Sequence, residues 1–103
     1  MSNSAVVESV AQALRDAEVN QAAIAPIRPQ LGGETADVDI AYAVQEVNTK
    51  RALAEGRRLV GRKIGLTSVA VQKQFGVDSP DSGTLFADMA YGDGQAIPAG
   101  IFI

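Results

Sequence analysis

The chain has 103 residues, enough for one small domain, and contains neither cysteine nor histidine, which excludes disulfides, thiolate zinc sites and histidine-dependent triads. Its formal net charge of −3 gives no general attraction to nucleic acid or to an anionic membrane, and neither partner is expected. Since no basic, apolar leader begins the sequence and no apolar run reaches roughly 18 residues, we expect a cytoplasmic protein.

Two amphipathic helices are predicted in the first half of the chain. Ser4 suits the N-cap of the first, whose apolar face repeats at helical spacing through Val6, Val7, Val10, Ala13, Leu14 and Ala17. Prolines and glycines in residues 20–33 predict a loop with one short turn of helix. A second helix is expected from Thr35 or Asp37 to about Glu55, ended by Gly56. Its core side is predicted to carry Ile40, Val44, Val47 and Ala54.

A strand is predicted over residues 59–67, and it contains Lys63. Side chains alternate along a strand, so one side, expected to pack on the helices, carries Val60, Arg62, Ile64 and Leu66. Lys63 lies on the other side, and the glycines two residues before and after it, Gly61 and Gly65, leave open space around its ammonium group. The spacing is compatible with an ordinary solvated lysine and with a lysine that binds a small anion.

The segment after this strand is predicted to form a short helix, a turn and a second strand. Thr67 or Ser68 can cap a helix over residues 69–75, closed by Gly76, and its free N–H groups would add partial positive charge near Lys63. Residues 77–83 are typical of a turn, in which Asp81 would ordinarily bond its own backbone. Residues 84–86 predict a strand. The apolar run over residues 97–103 resembles the start of a further strand that another segment must cover.

Together these elements predict an α+β fold: two N-terminal helices packed on a small mixed sheet, with strand, short helix and strand after residue 57. Without histidine and cysteine, acid–base chemistry falls to lysine, carboxylate and hydroxyl groups. The candidates are Lys63, Asp81, Thr67 and Ser68, with Arg62 and Tyr42 as lesser ones.

A string of short motifs resembles the N-terminal part of the 2-hydroxypenta-2,4-dienoate hydratases (2-keto-4-pentenoate hydratases), within the fumarylacetoacetate hydrolase superfamily. The motifs are AYAVQ (41–45), VGRKIGLTS (60–68), AVQ (70–72), PD (80–81), Gly83 and DM (88–89). The resemblance implies a hydro-lyase of aromatic catabolism that adds water to 2-hydroxypenta-2,4-dienoate, giving 4-hydroxy-2-oxopentanoate. Two alternatives are a portion of a related 4-oxalocrotonate-type decarboxylase and a non-catalytic oligomerising or binding module. Ser82 departs from the family, which usually carries a bulky aromatic residue there.

The resemblance also implies roles for individual residues. Lys63 and Asp81 match the catalytic residues, and substrate binding falls to Gly65, Leu66, Thr67 and Ser68. The family holds magnesium or manganese with a Glu-x-Glu pair and a further acidic residue, and the chain contains no Glu-x-Glu. We therefore expect residues 1–103 to be an N-terminal portion that binds no metal alone and joins a C-terminal β-rich metal-binding domain through its terminal strand. The implied partners are a small 2-oxo or 2-hydroxy dienoic acid and further copies in a homo-oligomer.

Overall fold

The computed structural model describes residues 2–33 and 37–101, and over these ranges it confirms an α+β fold. Two long helices, α1 (Ser2–Asn20) and α2 (Val38–Ala54), precede strand β1 (Leu59–Gly65), the short helix α3 (Val69–Gln74) and strand β2 (Asp81–Phe86). Short 3-10 helices lie at Arg28–Leu31, Ala87–Met89 and Ala99–Ile101. The first of these is the single turn of helix predicted in the loop between α1 and α2.

The hydrophobic core lies between α1 and α2. Its buried members are Val7, Val10, Ala11 and Val44, and Leu14, Ile40 and Val47 pack around them. The 3.6-residue period places these apolar residues on facing sides of the two helices, so their burial is the main source of stability that the described residues supply.

The helix boundaries agree with the sequence at the start of α2 and differ from it at α1. Asp37 caps α2, because its carboxylate accepts a hydrogen bond of 2.9 Å from Ile40 N. Thr35, the other predicted cap, lies outside the described residues. The prediction of Ser4 as N-cap is wrong, because α1 begins at Ser2 and places Ser4 within its first turn, where serine is also tolerated.

Near the end of α2, Ala52 is buried and Ala54 is exposed, so the prediction of Ala54 on the core side is wrong. Residues two apart on a helix differ by about 200°, which turns Ala54 away from the side that Ala52 shares with the core. The helix ends at Ala54, and Gly56 follows as the predicted stop, with a φ of 97° in the left-handed region that glycine enters without strain.

Strands β1 and β2 form a two-stranded antiparallel sheet, where the sequence predicted a mixed one. Asp81–Gly83, predicted as a turn, belongs to β2, because pairing with β1 outweighs the local turn preference. β1 ends at Gly65 and not at Thr67. The cause is Leu66, whose φ of 54° turns the chain out of the extended conformation.

The apolar side chains of β1 do not pack on the helices, contrary to the prediction. Val60 and Ile64 are 54% and 67% exposed. The hydrogen bonds between the sheet and α2 are made by β2, where the backbone of Ser82 bonds to the side chains of Tyr42 and Gln45. Val69 and Phe75 of α3 are also exposed. The strand and short helix thus present apolar side chains, Val60, Ile64, Val69 and Phe75, that the described residues leave uncovered.

An ion pair fastens the end of β2 to the segment after α2. Two hydrogen bonds of 2.7 Å join the Arg57 guanidinium to the Asp88 carboxylate, and the same guanidinium lies 4.2 Å from the centre of the buried Phe86 ring. The hydrogen bond from Arg57 holds the pKa of Asp88 below its usual range and raises that of Arg57 further. A backbone bond from Ala87 N to Arg58 O adds a second fastening.

The predicted strand over residues 97–103 is not formed in its described part. Ala99–Ile101 is a 3-10 helix in which Ile101 N bonds Pro98 O, and proline lacks the N–H that a strand ladder needs at that position. Phe102 and Ile103 lie outside the described residues. No helix within 2–33 or 37–101 is long and apolar enough to cross a membrane.

Candidate functional site

One face of the β1–β2 sheet gathers the predicted catalytic residues, and half of the residues on this face are glycine. Register and alternation place six residues on this face, which we call the glycine face: Gly61, Lys63 and Gly65 from β1, and Asp81, Gly83 and Leu85 from β2. The side chain of Lys63 and that of Asp81 both lie on the exposed surface of the described chain.

Lys63 lies across Gly83, its partner on β2. A Cβ atom built at Gly83 would be 3.2 Å from Lys63 Cε and 3.6 Å from Lys63 Nζ. The lysine therefore follows the sheet surface over a residue that has no side chain, instead of extending away from the sheet. A methyl group at Gly83 would be closer to Lys63 Cε than an ordinary contact, so the lysine would have to shift by a few tenths of an ångström.

Asp81 stands in the same relation to Gly65, its partner on β1. A Cβ atom at Gly65 would be 2.6 Å from Asp81 Oδ1 and 3.6 Å from its Cγ, so the carboxylate occupies the space that any other residue would fill. Neither glycine has a positive φ. These two positions therefore require glycine for the space that a missing side chain leaves, and not for an unusual backbone conformation.

Lys63 and Asp81 are diagonal neighbours, because Asp81 precedes by two residues the Gly83 that faces Lys63. Diagonal positions in antiparallel sheets are about 7–8 Å apart, and the ion pairs of the described residues include none within 4.0 Å between these two groups. The face thus offers an ammonium that can pair with a carboxylate and a carboxylate that can accept a proton or hydrogen bond. A small organic acid could contact both.

The predicted substrate-binding segment, residues 65–68, leads from β1 to α3 and is held at two points. Gln72 Nε2 donates a 2.8 Å hydrogen bond to the carbonyl of Leu66, and Ser68 caps α3 by accepting a 3.2 Å bond from Val71 N. Leu66 is half-buried, whereas Thr67 and Ser68 are exposed. The structure therefore brings Gly65 next to Asp81 and fixes the loop that follows it.

Sequence reasoning missed the part that Gly83 plays, although the residue belongs to one of the motifs. The glycines at 65 and 83 become informative only when the register shows which side chain each one faces. Of the two lesser candidates, Tyr42 bonds the outer edge of β2. Arg62 pairs with Thr84 of β2. Since neighbouring residues of a strand alternate, its side chain lies on the other face of the sheet from Lys63.

The described residues do not fit a complete divalent-metal centre. No three histidine, cysteine, aspartate or glutamate side chains among them come together in a way that could hold an ion, whereas Mg²⁺ and Mn²⁺ prefer several oxygen ligands. Asp37, within the acidic segment before α2, uses its carboxylate as a helix cap. The glycine face therefore supplies a charged pair for an organic acid but no metal site of its own.

Comparison with known proteins gives strong matches to curated sequences, whereas no family model matches. The chain is 58% identical over 105 residues to 2-keto-4-pentenoate hydratase 1 of Dechloromonas aromatica, a match that covers 100% of this chain and 39% of the relative. It is 60% identical over 96 residues to 2-keto-4-pentenoate hydratase 2 of the same organism, covering 93% and 36%. The chain thus spans less than two fifths of the length of these relatives.

A solved structure agrees with the sequence matches. The 4-oxalocrotonate decarboxylase of Pseudomonas putida G7, complexed with magnesium and adipate, matches with a TM-score of 0.69 and 34% identity, covering 78% of this chain and 30% of that one. The match to 2-keto-4-pentenoate hydratase 1 covers the whole chain and so includes both helices and the sheet that carries the glycine face. Over the length that it shares with these relatives, the chain is therefore similar to the N-terminal portion of the 2-keto-4-pentenoate hydratases.

Proposed function

We propose that this chain is part of a hydratase of aromatic catabolism that adds water to 2-hydroxypenta-2,4-dienoate and forms 4-hydroxy-2-oxopentanoate. The observation that carries the proposal is the glycine face, on which Lys63 and Asp81 lie over Gly83 and Gly65. The names of the similar curated proteins support the substrate class. In this proposal the chain supplies the groups that bind the substrate carboxylate and move protons, and it is inactive alone.

The reaction requires proton transfer beside a fixed carboxylate. Ketonisation moves one proton from the 2-hydroxyl oxygen of the dienol to a carbon atom, and hydration then adds a hydrogen and a hydroxyl group across the remaining carbon–carbon double bond. The ammonium of Lys63 pairs with the substrate carboxylate. The carboxylate of Asp81 takes the proton of the enol hydroxyl and passes it to the carbon atom, and it then accepts a hydrogen bond from the attacking water.

Residues 65–68 complete the substrate contacts in this proposal. The carbonyl of Leu66 accepts a bond from Gln72, which holds the segment in place beside the substrate. Ser68 Oγ accepts the bond from Val71 N, which leaves its hydroxyl proton to donate, since a hydroxyl group both donates and accepts. Gly65 lets the substrate approach the backbone beside Asp81.

Residues outside this chain are proposed to hold a magnesium or manganese ion, in a C-terminal β-rich domain. Two observations support this division: the described residues form no metal centre, and the similar decarboxylase was complexed with magnesium. The exposed Val60, Ile64, Val69 and Phe75 would be covered by such a domain. We further propose that the complete protein is a cytoplasmic homo-oligomer with no nucleic-acid or membrane partner.

Turnover of two polypeptides tests the proposal. The 103-residue chain and the same chain with its native continuation are compared for loss of the dienol's ultraviolet absorbance and for formation of the hydroxy-oxo acid. We expect turnover from the longer polypeptide and none above background from the shorter one. Full turnover by the 103-residue chain would refute the proposal that the metal ligands lie outside this chain. No turnover by the longer polypeptide would refute the hydratase assignment.

Decarboxylation of a 2-oxo-dicarboxylate is the second candidate, because the similar solved structure is a 4-oxalocrotonate decarboxylase. Both reactions pass through an enolate next to a carboxylate, so the glycine face suits either. The two are separated by offering the longer polypeptide 4-oxalocrotonate and 2-hydroxypenta-2,4-dienoate in parallel. Release of CO₂ at a higher kcat/KM than hydration would select the decarboxylase.

A further inference from the structure

We infer that Tyr42 and Gln45 of α2 are positioning residues that hold the backbone on both sides of Ser82 and thereby align Asp81 with Lys63. Ser82 N donates a 2.9 Å hydrogen bond to the Tyr42 hydroxyl. Gln45 Nε2 donates a 3.3 Å hydrogen bond to Ser82 O. The inference rests on the proposed function, because it assigns Tyr42 and Gln45 to the same site.

The two hydrogen bonds act on the two peptide groups that flank the site. The N–H of Ser82 belongs to the peptide that joins it to Asp81, and its C=O belongs to the peptide that joins it to Gly83. Asp81 faces Gly65 and Gly83 faces Lys63. Each bond from α2 therefore fixes the orientation of one residue on which the glycine face depends.

Sheet geometry explains why side chains of a helix can make these bonds. The N–H and C=O of one residue in an antiparallel strand point to the same side, so those of Ser82 point to the outer edge of the sheet, away from β1. An outer edge normally requires a further strand or water to bond its polar groups. Tyr42 and Gln45 are three residues apart and so lie on one face of α2, within reach of both groups.

Both bonds are part-buried, which limits the competition of water for them. Both also use only the backbone of Ser82. The contact from α2 therefore does not depend on which side chain stands at position 82. Removing the Tyr42 hydroxyl would leave the N–H of Ser82 unbonded and free the preceding peptide to rotate, which would displace the carboxylate of Asp81.

The test uses the longer polypeptide with Tyr42→Phe, and with Gln45→Met as an independent variant of similar size. We expect kcat for hydration to fall about tenfold with KM changed less than about twofold, because the substrate is still bound but its proton acceptor is misplaced. Amide hydrogen exchange at Ser82, followed by NMR, should accelerate at least about tenfold in Tyr42→Phe. Tyr91→Phe is the control, since Tyr91 is half-buried beside a different groove, near Arg57 and Asp88.

A double-mutant cycle separates positioning from general stability. If Tyr42 acts through Asp81, then Tyr42→Phe should add little further loss of kcat in an Asp81→Asn background. Fully additive losses, or unchanged kcat and unchanged Ser82 exchange in both single variants, would overturn the inference while wild-type turnover stands. Absence of wild-type turnover would instead overturn the proposed function, and Ser82 exchange together with the side-chain resonances of Asp81 and Lys63 would then decide the positioning role.

Discussion

Replacing Gly65 with alanine puts a methyl group where the Asp81 carboxylate lies. The new Cβ would be 2.6 Å from Oδ1, whereas ordinary contact begins at 3.4 Å, so the oxygen must move by about 0.8 Å, the difference between these distances. The cost in free energy of unfolding is expected to stay below about 1 kcal/mol, because the carboxylate is exposed and alanine restricts the unfolded chain more than glycine does. A shift near 1 Å at a reacting group, by contrast, can lower turnover by about 100-fold.

The assay measures kcat for hydration by the longer polypeptide, together with its thermal unfolding midpoint. We expect Gly65→Ala to lower kcat at least about tenfold with little change in the midpoint. Gly61→Ala is the matched control: it lies on the same strand and the same face, but its Cβ would meet Leu85 Cδ1 at 4.0 Å, an ordinary contact. Equal kcat values for the two variants would refute the assignment of a functional role to the Gly65–Asp81 contact.

Other changes test the site and the scaffold separately. Lys63→Met should lower kcat/KM for hydration at least about 100-fold. Lys63→Arg should retain more substrate binding, because arginine keeps the positive charge. Equal activity of Lys63→Met and wild type would contradict the proposal. The hydrogen bond from Arg57 lowers the pKa of Asp88, so this pair stabilises the fold above about pH 4 and loses its effect as the pH falls through the lowered pKa. In Asp88→Asn the thermal unfolding midpoint should therefore depend less on pH below about pH 4. An unchanged dependence would contradict the stabilising role of the Arg57–Asp88 pair. Val10→Ala should lower the free energy of unfolding in urea by about 2 kcal/mol, against less than about 0.5 kcal/mol for the exposed Val19→Ala.

The helices could be predicted because their signals are local. Val7, Val10 and Val44 recur with the period of a helix and are buried, and Asp37 supplies a side chain that caps the backbone three residues later. The exposure of Ile64 could not be predicted in the same way. Alternation tells which residues share a side of a strand, but not whether another element covers that side.

Only part of the site can be predicted from the sequence, because alternation along a strand is local information and the pairing of strands is not. The period of two placed Lys63 between Gly61 and Gly65 on one face, and this holds whichever strand pairs with β1. Register is long-range information, so the contacts of Lys63 with Gly83 and of Asp81 with Gly65 appear only in the folded chain. The sequence around Asp81 predicts a turn, because the turn preference of its neighbours is local whereas its pairing with β1 is not.

The central claim is that the glycine face binds the substrate's carboxylate. Titration of the longer, isotope-labelled polypeptide with 4-hydroxy-2-oxopentanoate, followed by amide and lysine side-chain NMR, tests it most directly. We predict saturable shift changes concentrated at the Lys63 ammonium and at residues 65–68 and 81–83, and their loss in Lys63→Met. Shift changes confined to the groove between α1 and α2, or changes that persist in Lys63→Met, would contradict the claim.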